Sequence, residues 1–173
     1  MVIELKREDK WHDKFEISYK QYFKAPWSMP SEAAVQIARL MEKTIGTEKS
    51  KTLLTQLFNE NAIKMTEEDN QNPINSFEDF TKLLESMLNT EVNQHAMDYT
   101  LVYEGRGRVR ALVSKCLWVE SFTEMDAADL GIVMRCGWEP VYFEGFSPNL
   151  KVTHNKLLMK GDDCCDICFE WKE

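Results

Sequence analysis

The side chains best suited to chemistry gather late in the sequence: cysteines stand at 116, 136, 164, 165 and 168, with His154 and Asp163 among them. A thiol in such a place is a nucleophile once a base or a metal activates it, a metal ligand, or a small buried hydrophobe. Cys165-Asp166-Ile167-Cys168 has the outward form of C-x-x-C. On a strand, however, side chains alternate, so Cys165 and Cys168 point to opposite sides of the sheet. The same alternation puts Asp163, Cys165, Ile167, Phe169 and Trp171 on an apolar side and Cys164, Asp166, Cys168, Glu170 and Lys172 on a polar one. A carboxylate at the edge of an apolar face has to be hydrogen-bonded, paired or shifted in pKa, which makes Asp163 beside Cys165 a candidate pair. The plainer reading stays open: Cys165 as packing and Asp163 as a turn residue bonding its own backbone. Cys116 would approach Cys165 if one hairpin lies on another, whereas Cys136 sits in the apolar run Met134-Arg135-Cys136, a setting typical of core. Of His12, His95 and His154, only His154 shares a segment with Asn149 and Thr153 close to the cysteine hairpin.

The elements that would position these residues are helices first and hairpins later. Trp11, Phe15, Tyr19, Tyr22 and Phe23 recur at roughly helical spacing up to Pro26. A second helix is expected from Ser31, with Ile37, Leu40, Met41 and Ile45 on one face until Gly46, and a third follows with Leu53, Leu54, Leu57 and Phe58. Residues 67–75 carry loop chemistry, and Ser76 with Asp79 forms a capping box before the stripe Phe77, Phe80, Leu83, Leu84, Met87 and Leu88. Near residue 97 the period changes to two. Tyr99, Leu101 and Tyr103 alternate with polar neighbours before the turn at 105–108, and Val109 to Ser114 returns as the partner strand. Helical runs after Cys116, from Asp126 and from Pro140 then lead to a second hairpin, Leu150 to Met159 and Cys164 to Trp171, joined through Gly161 and Asp162. The expected fold is α+β: an N-terminal helical layer packed on a C-terminal antiparallel sheet made of two hairpins with intervening helices. No repeat or linker divides it, so residues 1–173 read as a single domain, mainly helical over 1–95 and α+β over 96–173.

Composition narrows the function. The chain has 173 residues, 43% hydrophobic and 11% aromatic, enough apolar material for a substantial core. A formal charge of −8 with scattered Lys and Arg lacks the basic footprint that nucleic acid or an anionic membrane requires. The first residues carry no apolar signal run, and an odd cysteine count argues against a disulfide framework, so a cytoplasmic setting is expected. No Walker loop, dinucleotide fingerprint, H-E-x-x-H helix or nucleophile elbow is present. An apolar helical layer rich in Met and Phe suits an oligomer interface as well as a core, and a homodimer is the expected assembly.

Two stretches carry a resemblance. Glu144-Gly145-Phe146-Ser147-Pro148-Asn149-Leu150 and Leu157-Leu158-Met159-Lys160-Gly161-Asp162-Asp163-Cys164-Cys165-Asp166, preceded by Val113-Ser114-Lys115-Cys116 and Met134-Arg135-Cys136, resemble the L-2-amino-thiazoline-4-carboxylic acid hydrolase family over about residues 97–172. The sequence departs from that pattern where Leu117 follows Cys116 in place of proline and where Gly137-Trp138-Glu139-Pro140 follows the second cysteine, which implies a reshaped pocket. The C-terminal hairpin is also distantly similar to the four-vinyl-reductase-like domain, in which some members bind zinc through cysteines and a glutamate. Leu157 and His154 stand about where those ligands would be.

The resemblance implies a hydrolase that opens the ring of a small cyclic sulfur-containing amino acid, 2-amino-thiazoline-4-carboxylate or similar, at a carbon–nitrogen bond without a resident cofactor. Such chemistry needs a base for water, an acid for the leaving atom and a donor for the carboxylate. On that implication Cys116, Asp163 and Cys165 are the catalytic candidates, with Asp163 as base. Alternatively Cys116 and Cys165 act as nucleophile and partner, or join His154 in holding zinc. Cys136, Asn149, Thr153 and His154 are the substrate-binding candidates. The alternative is a non-catalytic module that captures a small apolar or aromatic ligand between Trp118 and Trp138.

Overall fold

The computed structural model describes residues 1–5, 11–12, 17–18, 32–70 and 74–172. Its frame is a five-stranded antiparallel sheet in the order β1-β4-β5-β7-β6, formed by β1 (Val2–Leu5), β4 (Met97–Tyr103), β5 (Arg108–Cys116), β6 (Leu150–Lys156) and β7 (Cys165–Trp171). Both expected strand pairings are present, but the second connection is longer than the expected tight turn: β6 ends at Lys156, Leu158–Lys160 form a 3-10 turn rather than strand, and Gly161 ends it at φ +90°, a left-handed value that glycine adopts without strain. The fold is α+β, with helices in the N-terminal part and an antiparallel sheet in the C-terminal part.

The sheet has one strand more than the hairpins supply. Val2-Ile3-Glu4-Leu5 pairs with β4 in the register Ile3↔Leu101, and its β-branched pair Val2-Ile3 suits the edge that β4 would otherwise leave open. The helical reading of the aromatic N-terminal stretch fails where residues are described: β2 (Trp11–His12) and β3 (Ile17–Ser18) form a small antiparallel ladder. Phe15, Tyr19, Tyr22 and Phe23, and the proposed cap Ser31, lie outside the described residues.

Three helices cover the sheet: α1 (Glu32–Ile45), α2 (Thr47–Asp69) and α3 (Phe77–Leu88). The capping box holds, since Ser76 Oγ accepts the Asp79 N–H at 3.1 Å and donates to Asp79 Oδ2 at 2.7 Å. Helix α2 runs through Asp69, so the first part of the expected 67–75 loop is helical. The buried face of α1 also differs from expectation. Val35 and Ala38 are buried, with Ala34 and Met41 packed beside them, whereas Ile37 and Leu40 are 61% and 64% exposed. Small residues let α1 approach its neighbours closely and turn the larger aliphatics outward. On α2 the expected apolar set splits between faces: Leu54 and Phe58 are buried, and Leu53 and Leu57 are exposed.

Between the hairpins the chain forms α4 (Glu91–Ala96) before β4, then α5 (Leu117–Glu124), α6 (Ala128–Gly131), a π turn over Ile132–Cys136 and α7 (Glu139–Glu144). Phe80, Phe143 and Phe169 meet edge-on or tilted, with ring centroids 5.1 to 6.4 Å apart, and lock α3, α7 and β7 into one core.

Candidate functional site

On the helix-covered face of the sheet, alternation works as the sequence suggests: Cys165, Ile167, Phe169 and Trp171 face the core helices together with Val113 and Ala111 of β5. Cys165 is buried, and Cys116, ending β5, and Cys136, ending the π turn, line the same small cavity of about 30 Å³. This cavity adjoins a larger one of about 430 Å³ between α2, α3, α7 and the sheet. Met97, Val113, Arg135, Glu139 and Ile167 line both. Two larger recesses, about 640 and 550 Å³, lie on the outer surfaces of α1 and α2 and contain none of the expected site residues.

Arg135 and Glu139 stand at the junction. The Arg135 guanidinium lies 4.3 Å from the ring centre of Trp118 and 5.1 Å from that of Trp138, so two indoles hold its charge in place of water. Its Nη1 is 3.1 Å from Glu139 Oε1, and the second Glu139 oxygen is 3.3 Å from His154 Nε2. These separations suit ion pairing, but the angles do not: neither Arg135 Nη1 nor His154 Nε2, both inaccessible to solvent, makes an aligned hydrogen bond. Three polar groups are thus close to one another with donor capacity left over, a costly arrangement in an apolar wall.

The π turn makes this placement. The Gly137 N–H reaches the Ile132 carbonyl at 2.7 Å, one residue further back than an α-helix allows, which rotates Arg135 toward the two tryptophans. A Cβ on residue 137 would stand 2.9 Å from the Ile132 oxygen, a backbone atom, so glycine is required there by space.

The thiols are not activated. Burial pushes Cys165 up to about 12, against a weaker opposing pull from the Leu158 N–H, which donates to Cys165 Sγ at 3.4 Å. Burial raises Cys136 well above the ordinary thiol value, assisted by Glu139. It also raises Cys116, although the Val119 and Trp118 N–H groups and Arg135 oppose it. All three are protonated at neutral pH and present polarisable S–H walls. Nor do they fit zinc: among the described residues no group of three His, Cys, Asp or Glu side chains is placed to hold a metal ion.

Of the seven residues expected at the site, Cys116, Cys136 and Cys165 line the inner cavity, and His154 reaches it through Glu139. The other three lie elsewhere. Asp163 precedes β7, where strand alternation has not begun, and it is exposed and paired with Lys156 at 2.9 Å, which holds its carboxyl below the usual range. Thr153 is on the outer face opposite Cys168, and Asn149 is an exposed turn residue. That outer face is less solvated than its polar sequence suggests. Cys168 is buried, and Asp166 is buried against Arg110, which donates through Nε at 2.9 Å and Nη2 at 2.5 Å.

Sequence reasoning singled out neither Arg135 nor Glu139 as a site residue. Their signal was an i,i+4 charged pair flanking Cys136, Gly137 and Trp138, at the end of the apolar stretch Ile132-Val133-Met134. Trp118 and Trp138, expected as stacking walls, do stack, though on Arg135.

No curated protein matches the chain. Among solved structures it is similar to the phenol-responsive sensory domain of the transcription activator PoxR, solved with phenol, at 12% identity and a TM-score of 0.49 over 80% of this chain and 73% of that one. Among the described residues no helix is long and apolar enough to cross a membrane. The model of the L-2-amino-thiazoline-4-carboxylic acid hydrolase family matches residues 28–169, most of the sequence, and the chain belongs to that family.

Proposed function

We propose that the adjoining cavities bind a small organic molecule bearing a carboxylate and a neighbouring cationic nitrogen, with Arg135 taking the carboxylate and Glu139 the nitrogen. The observation that carries this reading is the Arg135 guanidinium, fixed by two indoles, with Nη1 enclosed and lacking an aligned hydrogen bond. A carboxylate entering between Arg135 and Glu139 would supply that bond in a charge-assisted form, since the poor angle between the two leaves each free to turn toward a ligand group of opposite sign. A cyclic amidine carboxylate, the substrate class in the family's name, has both groups.

One further observation favours hydrolysis over capture alone. The inner cavity, about 30 Å³ and lined by Glu139 and Arg135 beside the three cysteines, has room for about one water molecule. In this reading Glu139 takes a proton from that water as the water oxygen bonds to the amidine carbon, then returns it to the leaving ring atom as the ring bond breaks, so one water is consumed and the carboxylate is regenerated. His154, against the second Glu139 oxygen, positions the base. The protonated thiols shape the water's compartment.

The test is binding and turnover of 2-amino-thiazoline-4-carboxylate by the purified chain, Arg135→Gln and Glu139→Gln. Loss of a charge-assisted contact predicts about 10- to 100-fold weaker binding for Arg135→Gln, whereas Glu139→Gln abolishes turnover with less effect on binding. Unchanged binding in a folded Arg135→Gln protein overturns the reading. Binding without turnover in the unsubstituted chain leaves the capture function and removes the hydrolytic one.

A further inference from the structure

The chamber beyond Arg135 is far larger than the head group it is proposed to hold. At about 430 Å³ it falls in the range of roughly 300–1,000 Å³ typical of sites for drug-sized ligands, and a single five-membered ring with its substituents fills only a fraction of it. Its chemistry is one-sided. Leu83, Leu84, Met87 and Leu88 of α3 face Ile167 and Phe169 of β7 across it. The polar groups collect at two places: Arg135 and Glu139 at the inner end, and Asp69, Thr90 and Asn93 toward the ends of α2 and α3. Asp69 is already engaged, accepting from the Tyr142 hydroxyl at 2.7 Å, and Asn93 donates to the Met87 carbonyl at 2.8 Å. The charged donor with capacity left over is therefore at the inner end, next to an apolar wall that offers a ligand nothing but burial.

From this asymmetry the geometry points to an amphipathic organic acid as the ligand class: a carboxylate head at Arg135 and an extended apolar body lying between α3 and β7. This inference rests on the carboxylate reading of Arg135 and adds the apolar body, which that reading does not require. Three methionines among the lining residues, Met65, Met87 and Met97, let the chamber adjust to the body's shape.

The experiment measures binding of butanoate, hexanoate, octanoate and decanoate, and of the matching primary alcohols, to the full chain by calorimetry. Each methylene buried in the chamber should tighten acid binding by about fourfold, or roughly 200-fold from butanoate to octanoate, until the chamber is full. Met87→Trp, which occupies part of the apolar wall, should move the length at which the gain stops to a shorter acid. Acids that bind through Arg135, as shown by weakening in Arg135→Gln, yet gain nothing with length overturn the apolar-body inference and leave the carboxylate reading intact. Acids and alcohols that gain equally with length, and are indifferent to Arg135→Gln, overturn the carboxylate reading and with it the ligand class. A length gain whose limit is unmoved by Met87→Trp places the body outside the chamber and also overturns the inference.

Discussion

Replacing Arg135 with methionine should cost about 3 kcal/mol of folding stability, and the size of the loss follows from its surroundings. The guanidinium lies over two indole rings, and a contact of this kind contributes about 0.5–2 kcal/mol, so roughly 1–4 kcal/mol comes from the two tryptophans, with the lower half of that span applying because the Arg135 side chain keeps 18% exposure. Removing the cation also strands Glu139, whose side chain is only 16% exposed. Breaking a fully buried pair costs about 3–5 kcal/mol, and partial exposure together with the poor hydrogen-bond angle puts this one lower, at about 1–2 kcal/mol. For a domain of this length the total corresponds to a Tm lower by about 6–12 °C. The assay is a double-mutant cycle by urea unfolding with Arg135→Met, Glu139→Gln and the double variant. Because the neutral amide no longer needs a counter-charge, the double variant should be about 1–2 kcal/mol more stable than the sum of single losses predicts. Additivity within about 0.5 kcal/mol would show that the two groups do not act as a unit, and the account of the junction would be wrong.

Gly137→Ala should destabilise the chain by about 1–3 kcal/mol and weaken carboxylate binding together, because a Cβ 2.9 Å from the Ile132 oxygen forces the π turn open and shifts Arg135; native stability in that variant would refute the steric argument. Hydrogen bonds from Arg110 outweigh burial and, with Asn155, hold the Asp166 carboxyl below its usual value. The stability this lends is complete above the ordinary aspartate range and is lost as pH falls through the lowered value. Asp166→Asn should therefore flatten the acid limb of a Tm-against-pH curve, and an unchanged limb would exclude Asp166 as its source. Mass-resolved alkylation at pH 8 should leave Cys136 and Cys165 unmodified until the chain unfolds; rapid native labelling of Cys165 would contradict its enclosed, protonated state.

What could be read from the sequence was local. The Ser76–Asp79 box, the period of two beginning near Met97, a chain reversal at Gly161 and the apolar face through Cys165, Ile167 and Phe169 depend on neighbours a few residues apart, and all are found where expected. What escaped depends on distant partners. Val2–Leu5 becomes a strand because β4 offers an edge almost a hundred residues later, and Asp166 and Cys168 are buried on a face whose polarity suggested solvent. Arg135 joins the tryptophans because one extra residue is taken up in a helical turn, a change that periodicity cannot express. Asp163 was misplaced for the converse reason: alternation was extended past the start of β7 into a turn.

The edge of the sheet at β6 is closed in a way that limits how copies of the chain can meet. Val152, on the outermost strand, gives its N–H to Glu144 Oε1 at 2.9 Å, so α7 occupies a backbone donor that an incoming strand would need. Lys151 pairs with the same carboxylate, Lys156 pairs with Asp163, and the register breaks between His154 and Lys156. Charge, a bulge and a side-chain cap are the devices by which an exposed edge avoids continuing into a neighbour's sheet. A filament or a dimer grown by β-sheet extension is therefore disfavoured at this end, and assembly there would have to begin by pulling Glu144 away from the strand it guards.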